Sequence, residues 1–205
     1  MTMPRIRAES IAEHRALTRS EILESAQNLF AEFGYEDTSF GDIAAAVGIG
    51  RTTLYDYFVD KDDLLASLVE ATLPATIREM VAGIPDDAEP VERLRRLTVK
   101  MIEFVAVDPT LGLLLHREVP KISQEAQGRV AVAHADLSKE FAQVYRAGVA
   151  AGDLKLLPAG LAGRFLNDLI MSAAKALIDS KDPQQKLAEV TTAAVDLLFN
   201  GLTAS

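Results

Sequence analysis

Residues 39–65, SFGDIAAAVGIGRTTLYDYFVDKDDLL, read as two short helical segments separated by glycine. Ser39 suits an N-cap, because its hydroxyl can accept a backbone proton that a helix start leaves unpaired. Asp42 then places a carboxylate in the first turn, where the helix dipole favours it. Ile43, Ala44 and Val47 fall on one face, and Gly48 supplies the turn. A further helix is expected over about Arg51 to Phe58, with Leu54 and Phe58 one turn apart on its buried side. Two short helices around a glycine turn are the sequence form of a helix-turn-helix, and equally of a plain α-hairpin. In the first case the leading helix crosses the DNA backbone and the second enters the major groove. The small side chains of Ala44, Ala45 and Ala46 permit a steep crossing of the two.

The pattern stays helical outward from this stretch. Upstream, Ile22, Leu23, Ala26, Leu29, Phe30 and Phe33 recur at helical spacing. Thr18 and Glu21 have the spacing of a capping box, and Gly34 is placed to stop the helix; a helix over about 18–33 is expected. Downstream, Lys61–Leu65 open a fourth helix that Pro74 should end or kink. The stretch 83–90, GIPDDAEP, reads as a linker. Beyond it, Leu94, Leu97, Met101, Phe104 and Val105 mark one helix, and Pro109 and Pro120 bracket a shorter segment. Val130, Leu137, Phe141, Val144 and Tyr145 mark a long helix ending near Gly152, and 158–179 and 183–200 two more. No β alternation of useful length occurs. The expected fold is all-α, about nine helices. A small N-terminal helix-turn-helix unit would occupy 1–63, with 1–17 as a flexible arm, and a larger helical bundle 64–205.

Composition narrows the function. The 205 residues carry 21 Lys+Arg and 30 Asp+Glu, a net charge of −9, and no cysteine. Disulfides, thiol nucleophiles and thiolate metal sites are excluded. The charge balance argues against coating nucleic acid or anionic membrane by bulk charge. Residues 1–63 hold six basic and twelve acidic side chains, so any DNA contact depends on segregation of charge. Arg5, Arg7, Arg15 and Arg19 fall at the start, in an arm able to reach a DNA backbone or to serve only as a solubilising tail. No secretory signal or membrane-length apolar run occurs, so a soluble, cytoplasmic protein with no membrane partner is expected. Helical di-iron enzymes need Glu-x-x-His pairs. None of His14, His116 and His134 has Glu three positions earlier. No nucleophile elbow and no phosphate-cradling glycine loop are present, so no enzyme activity, catalytic residue, metal site or cofactor is expected.

The segment 39–65 resembles the DNA-binding signature of the TetR family of bacterial transcription regulators. The preceding helix, with Arg19, Ile22, Leu23, Ala26, Leu29, Phe30 and the Gly34-Tyr35 pair, is similar to that family's first helix. The likeness is strong over about 17–66. Further on it is a looser similarity to the AcrR-like branch around HREVPKIS (116–123) and AGVAAGDL (147–154). The resemblance implies a dimeric regulator, a repressor by family habit, that binds a palindromic double-stranded DNA operator and is released by a small-molecule effector. It implies DNA binding for 1–63, and ligand binding and dimerisation for 64–205. It implies DNA contacts at Thr53, Tyr55, Tyr57 and Lys61, with the Lys61 ammonium and its helix start facing a phosphate. Arg51 and Thr52 open the recognition helix as candidate base readers; Ser39 and Arg19 complete the contact set. Gly50 stands where the family usually has a Ser or Thr cap. Phe40 and Gly41 stand where many members carry polar contacts.

One chain offers one recognition helix, and such sites usually need two, about 34 Å apart or a multiple of it. A homodimer is therefore expected. Gly160, Gly163, Ala173, Ala174, Ala193 and Ala194 are candidates for close approach of the last two helices between copies; they could equally bury within one chain. A ligand pocket is expected to draw apolar walls from Met101, Phe104, Ile170 and Met171, and polar anchors from His116, Arg117, Tyr145 and Asn167. The competing reading is a helical dimer that binds a small molecule or a protein without DNA recognition.

Overall fold

The computed structural model describes residues 4–85, 87–107 and 109–202. Among these are ten α-helices, one 3-10 turn and no β-strand. The N-terminal unit contains α1 (Pro4–Phe33), α2 (Phe40–Val47) and α3 (Arg51–Tyr55); α4 (Lys61–Ala82) leads out of it. The larger bundle contains α5 (Pro90–Val107), α6 (Pro109–Arg117), the 3-10 turn Val119–Lys121, α7 (Gln124–Ala133), α8 (Ala135–Ala151), α9 (Leu161–Ile178) and α10 (Pro183–Leu202).

Capping chemistry explains several boundaries. Ser39 Oγ accepts the Asp42 amide proton, and the Asp42 carboxylate accepts the Ser39 N–H, a complete capping box. Hydrogen bonding to Ser39 holds the Asp42 carboxyl below the usual carboxylate range. Gly48, at φ 77°, closes α2 in the left-handed region that glycine enters without a Cβ clash. Asp60 caps α4 by accepting the Asp63 amide proton at 2.8 Å. Gly50 precedes α3 with no side-chain cap bond.

Five expectations about the helices change. The first helix starts at Pro4, not near residue 18. Thr18 caps nothing; its hydroxyl sits 3.4 Å from His14 Nδ1, one turn earlier in the same helix. The expected arm is therefore helical from Pro4, while residues 1–3 and the side chains of Arg5 and Arg7 lie outside the described residues. Phe33 is exposed in the last turn of α1, before Gly34 ends it. Pro74 does not end α4: Leu73, Ile77 and Met80 stay buried on both sides of it, so tertiary packing outweighs the lost donor. The expected long helix up to Gly152 divides at His134, because α7 packs against α4 whereas α8 packs against α5. The recognition helix is also shorter than expected, ending at Tyr55. Phe58 follows in a turn whose amide still reaches the Leu54 carbonyl at 3.1 Å.

Two clusters of buried apolar side chains hold the molecule. One joins the N-terminal unit to the bundle: Ile22, Ile43, Leu54 and Phe58 are continuous with Leu68 of α4 and Val130 of α7. The other fills the space between α5, α8, α9 and α10. Glycine permits close approach at more than one point, the α5–α6 crossing among them. A Cβ on Gly112 of α6 would come within 2.7 Å of Val105 Cγ1 on α5. Val105 is β-branched and cannot swing aside. Gly112→Ala is therefore expected to lower stability by about 1–3 kcal/mol, against a helix-propensity gain of about 1 kcal/mol. Urea unfolding followed by circular dichroism measures the net loss.

Candidate nucleic-acid interface and buried cavity

The first three residues of α3, Arg51, Thr52 and Thr53, are exposed, and Tyr55 is half exposed with its ring 5.1 Å from that of Phe40. Phe40 itself is buried, so the position that lacks a polar contact residue serves as a platform for Tyr55. Leu54 and Phe58 anchor the opposite side of the segment. A five-residue helix is not stable by itself; these two anchors orient it. Arg15 supports its far end, donating from Nη2 to the Asp56 carbonyl at 3.3 Å with its guanidinium 5.4 Å from the Tyr57 ring. A cation there complements the negative end of the helix dipole.

Three of the expected contact residues are engaged elsewhere. Lys61 Nζ donates to the carbonyls of Tyr35 at 2.7 Å, Thr38 at 3.1 Å and Glu36 at 3.3 Å, and lies 4.3 Å from the Tyr35 ring centroid. An ammonium has three protons, and all three tie α4 to the loop between α1 and α2. In the structure Lys61 thereby staples the unit together. Arg19 packs its guanidinium 5.0 Å from the Phe58 ring centroid, inside the unit. Ser39 is exposed, but its hydroxyl proton goes to Asp42 at 2.6 Å. The residues exposed together on this face are thus Arg51, Thr52, Thr53 and Tyr55, with Tyr57 partly accessible beside them.

A polar seam joins this unit to the bundle. Asp62 accepts the Tyr35 hydroxyl proton at 2.9 Å through one oxygen and the Ser123 amide proton at 2.8 Å through the other. Burial and the Asp62 carboxylate push the Tyr35 phenol well above its ordinary value, so it stays a donor. One turn into α7, Arg129 grips Glu70 with two bonds, 2.9 and 2.6 Å, donates to Ser67 Oγ at 2.8 Å, and pairs with Asp63. Asp63 in turn accepts the Val59 amide proton at 2.8 Å. The bonds from Glu70 and Asp63 raise the Arg129 pKa, and the bond to Arg129 lowers that of Glu70. Sequence reading missed Arg129, since nothing local distinguishes it from a solvated charge.

A cavity of about 520 Å³ lies behind this seam. Of the expected lining residues, Met101, Phe104, His116, Asn167 and Met171 border it. Three do not. Ile170 is buried in the α5–α10 core. Arg117 is exposed at the end of α6. The Tyr145 hydroxyl donates to the Lys155 carbonyl at 2.7 Å and accepts the Leu157 amide proton at 2.9 Å, fixing the loop after α8. Sequence reading missed the α4 wall, Leu73, Ile77 and Met80, because Pro74 was expected to break that helix. His134 also borders the cavity, and burial lowers its pKa, which keeps the ring neutral near pH 7.

The candidate interface helices show a mixed outcome. Ala173, Ala174 and Ala194 are buried within the chain's own core, so they are withdrawn as contacts between copies. Gly160, Gly163 and Ala193 remain exposed, beside Phe165 at 54% and Leu197 at 69% exposure. No helix among the described residues is long and apolar enough to cross a membrane.

Residues 22–68 match the family described as bacterial regulatory proteins of the tetR family, and 87–175 match the tetracyclin repressor-like C-terminal domain. A fatty acid metabolism regulator protein of Bacillus subtilis is 23% identical over 185 residues, covering 89% of this chain and 94% of that one. The crystal structure of the transcriptional regulator FadR from Bacillus subtilis in complex with stearoyl-CoA has a TM-score of 0.73 at 23% identity, covering 89% of this chain and 98% of that chain. A ketosteroid transcriptional regulator of Mycobacterium tuberculosis has a TM-score of 0.67 at 24% identity, covering 91% and 95%. With a helix-turn-helix unit and a helical bundle each matched in its own right, the chain belongs to the TetR family, and it regulates transcription through DNA rather than catalysing a reaction.

Proposed function

We propose that this protein is a cytoplasmic repressor that holds a palindromic operator as a homodimer and lets go when a mainly apolar effector fills the cavity. The observation that carries the reading is the double duty of α7. Val130 and Ala131 wall the cavity, while their neighbour Arg129 is bonded to α4, the helix that closes the DNA-binding unit. An effector that fits one α7–α4 arrangement better than the other shifts the spacing of two recognition helices by its differential affinity. The similar Bacillus subtilis regulator is in complex with stearoyl-CoA, whose acyl chain is apolar, in keeping with the walls here. Phe165 and Leu197 supply exposed apolar surface on α9 and α10 for a second copy. On this reading the functional division falls near residue 63, within the first turn of α4. Arg51, Thr52, Thr53 and Tyr55 would meet the duplex, Tyr57 at its margin.

The test is fluorescence anisotropy on duplexes from the region upstream of the protein's own gene, with and without apolar ligands. Arg51→Ala is expected to weaken specific binding by about 1–3 kcal/mol, with little change in binding to random duplex. Wild-type binding should fall steeply with salt, with a log–log slope of about −0.9 per phosphate neutralised. Failure to retain any duplex at low salt would favour instead a helical dimer without DNA recognition, for which the acidic N-terminal unit is the supporting feature.

A further inference from the structure

The cavity's composition says more about its occupant than its size does. Among the described residues that line it there is no Asp, Glu, Lys or Arg. In a chain with 25% charged residues, that segregation is a property of this site. The polar groups present are hydroxyls, amides and two imidazoles, and several have already used their protons. Thr76 donates to the Thr72 carbonyl at 3.2 Å, and Gln127 donates its amide to the Ile122 carbonyl at 2.8 Å. His134 Nδ1 lies 3.3 Å from Ser138 Oγ.

Methionine placement is the second observation. The chain has five methionines, two of them at positions 1 and 3. The remaining three, Met80, Met101 and Met171, all border the cavity, from α4, α5 and α9. An unbranched thioether side chain re-packs around differently shaped apolar partners at low cost.

We propose that the cavity selects uncharged ligand groups: it takes an apolar chain or ring system ending in a neutral polar group, tolerates variation in its shape, and rejects a free carboxylate or ammonium. A charge drawn in among the buried Leu73, Ile77, Met80 and Val130 would lose its hydration with no carboxylate, ammonium or guanidinium beside it, a cost that neutral dipoles offset poorly. A ligand with a charged headgroup would bind only with that headgroup outside. The proposal rests on the reading of this cavity as the effector site.

The experiment uses the full-length protein and the neutral fluorophore N-phenyl-naphthylamine as a reporter of cavity occupancy. Dodecanol, dodecanoate and dodecylammonium, each below its micelle concentration, then compete for it. The expected result is displacement by dodecanol at a concentration about tenfold or more below that needed with either ion. Asn167→Lys places an ammonium at an exposed position on the cavity's border; it is expected to improve dodecanoate relative to dodecanol and to worsen dodecylammonium. Equal or better displacement by either ion from the wild type overturns the charge rule. Dodecanol that displaces the fluorophore unchanged in Met80→Ala, Met101→Ala and Met171→Ala proteins removes the methionines from the argument. If the reporter does not bind at all to folded protein, the effector-site reading itself fails, and the charge rule with it.

Discussion

Phe58→Ala is expected to destabilise the protein by about 3–5 kcal/mol, a large share of the roughly 5–15 kcal/mol that holds a domain folded. Phe58 is 1% exposed, with Leu54 one turn before it and Arg19 stacked on its ring. Truncation opens a cavity under the recognition helix and removes one of the two anchors that orient Arg51, Thr52 and Thr53. Two measurements check this. Urea unfolding should show the lower midpoint, and operator affinity measured well below that midpoint should still fall. Val59→Ala is the control: Val59 is 76% exposed, and its change should stay within about 0.5 kcal/mol. An operator affinity unchanged in the alanine variant would show that α3 is held by contacts other than these.

Arg129→Met is expected to abolish most of the effector's influence on DNA while sparing both binding sites. Allosteric coupling typically corresponds to about 1–3 kcal/mol, a factor of about 5–150 in affinity. Loss of the guanidinium should bring that factor close to one. Arg129 does not border the cavity, and it makes no contact with α3, so ligand affinity and ligand-free operator affinity should each change by less than about threefold. Anisotropy titrations with and without a saturating apolar ligand give the factor directly; a full effector response in this variant sinks the assignment of α7 as the carrier. The seam is also acid-sensitive. Bonding to Arg129 depresses the Glu70 pKa below its ordinary 4.5, so its contribution to stability is complete above about pH 4.5 and is lost as the pH falls through the folded value. Arg129→Met should remove that part of the acid dependence.

Much of this was legible in local sequence. The glycine stop of α1 at Gly34, the Ser39–Asp42 capping box, the Gly48 turn, the inward Leu54 and Phe58 and the outward Arg51, Thr52 and Thr53 all follow from interactions spanning three or four residues, which a one-dimensional pattern records; the start of α1 at Pro4 does not. The break between α4 and α5 and the all-helical class follow in the same way, and so did the family resemblance, because the recognition segment is short and contiguous.

The tertiary structure decided which partners those side chains meet. Lys61 and Arg19 carry the same charge as Arg51. What separates them is that carbonyls of a distant loop and the ring of Phe58 lie within their reach. Ala173 and Ala174 read as easily between copies as within one, until α5 and α10 cover them. Pro74 reads as a break, and only the apolar partners on both sides of it keep α4 whole and give the cavity its wall. Arg129, silent in the sequence, becomes the link between cavity and DNA-binding unit because α7 is laid against α4. Periodicity and capping are properties of neighbours in the chain; occupancy of a charge, burial of a small residue and the existence of a cavity are properties of helices that meet, and those depend on all the helices at once.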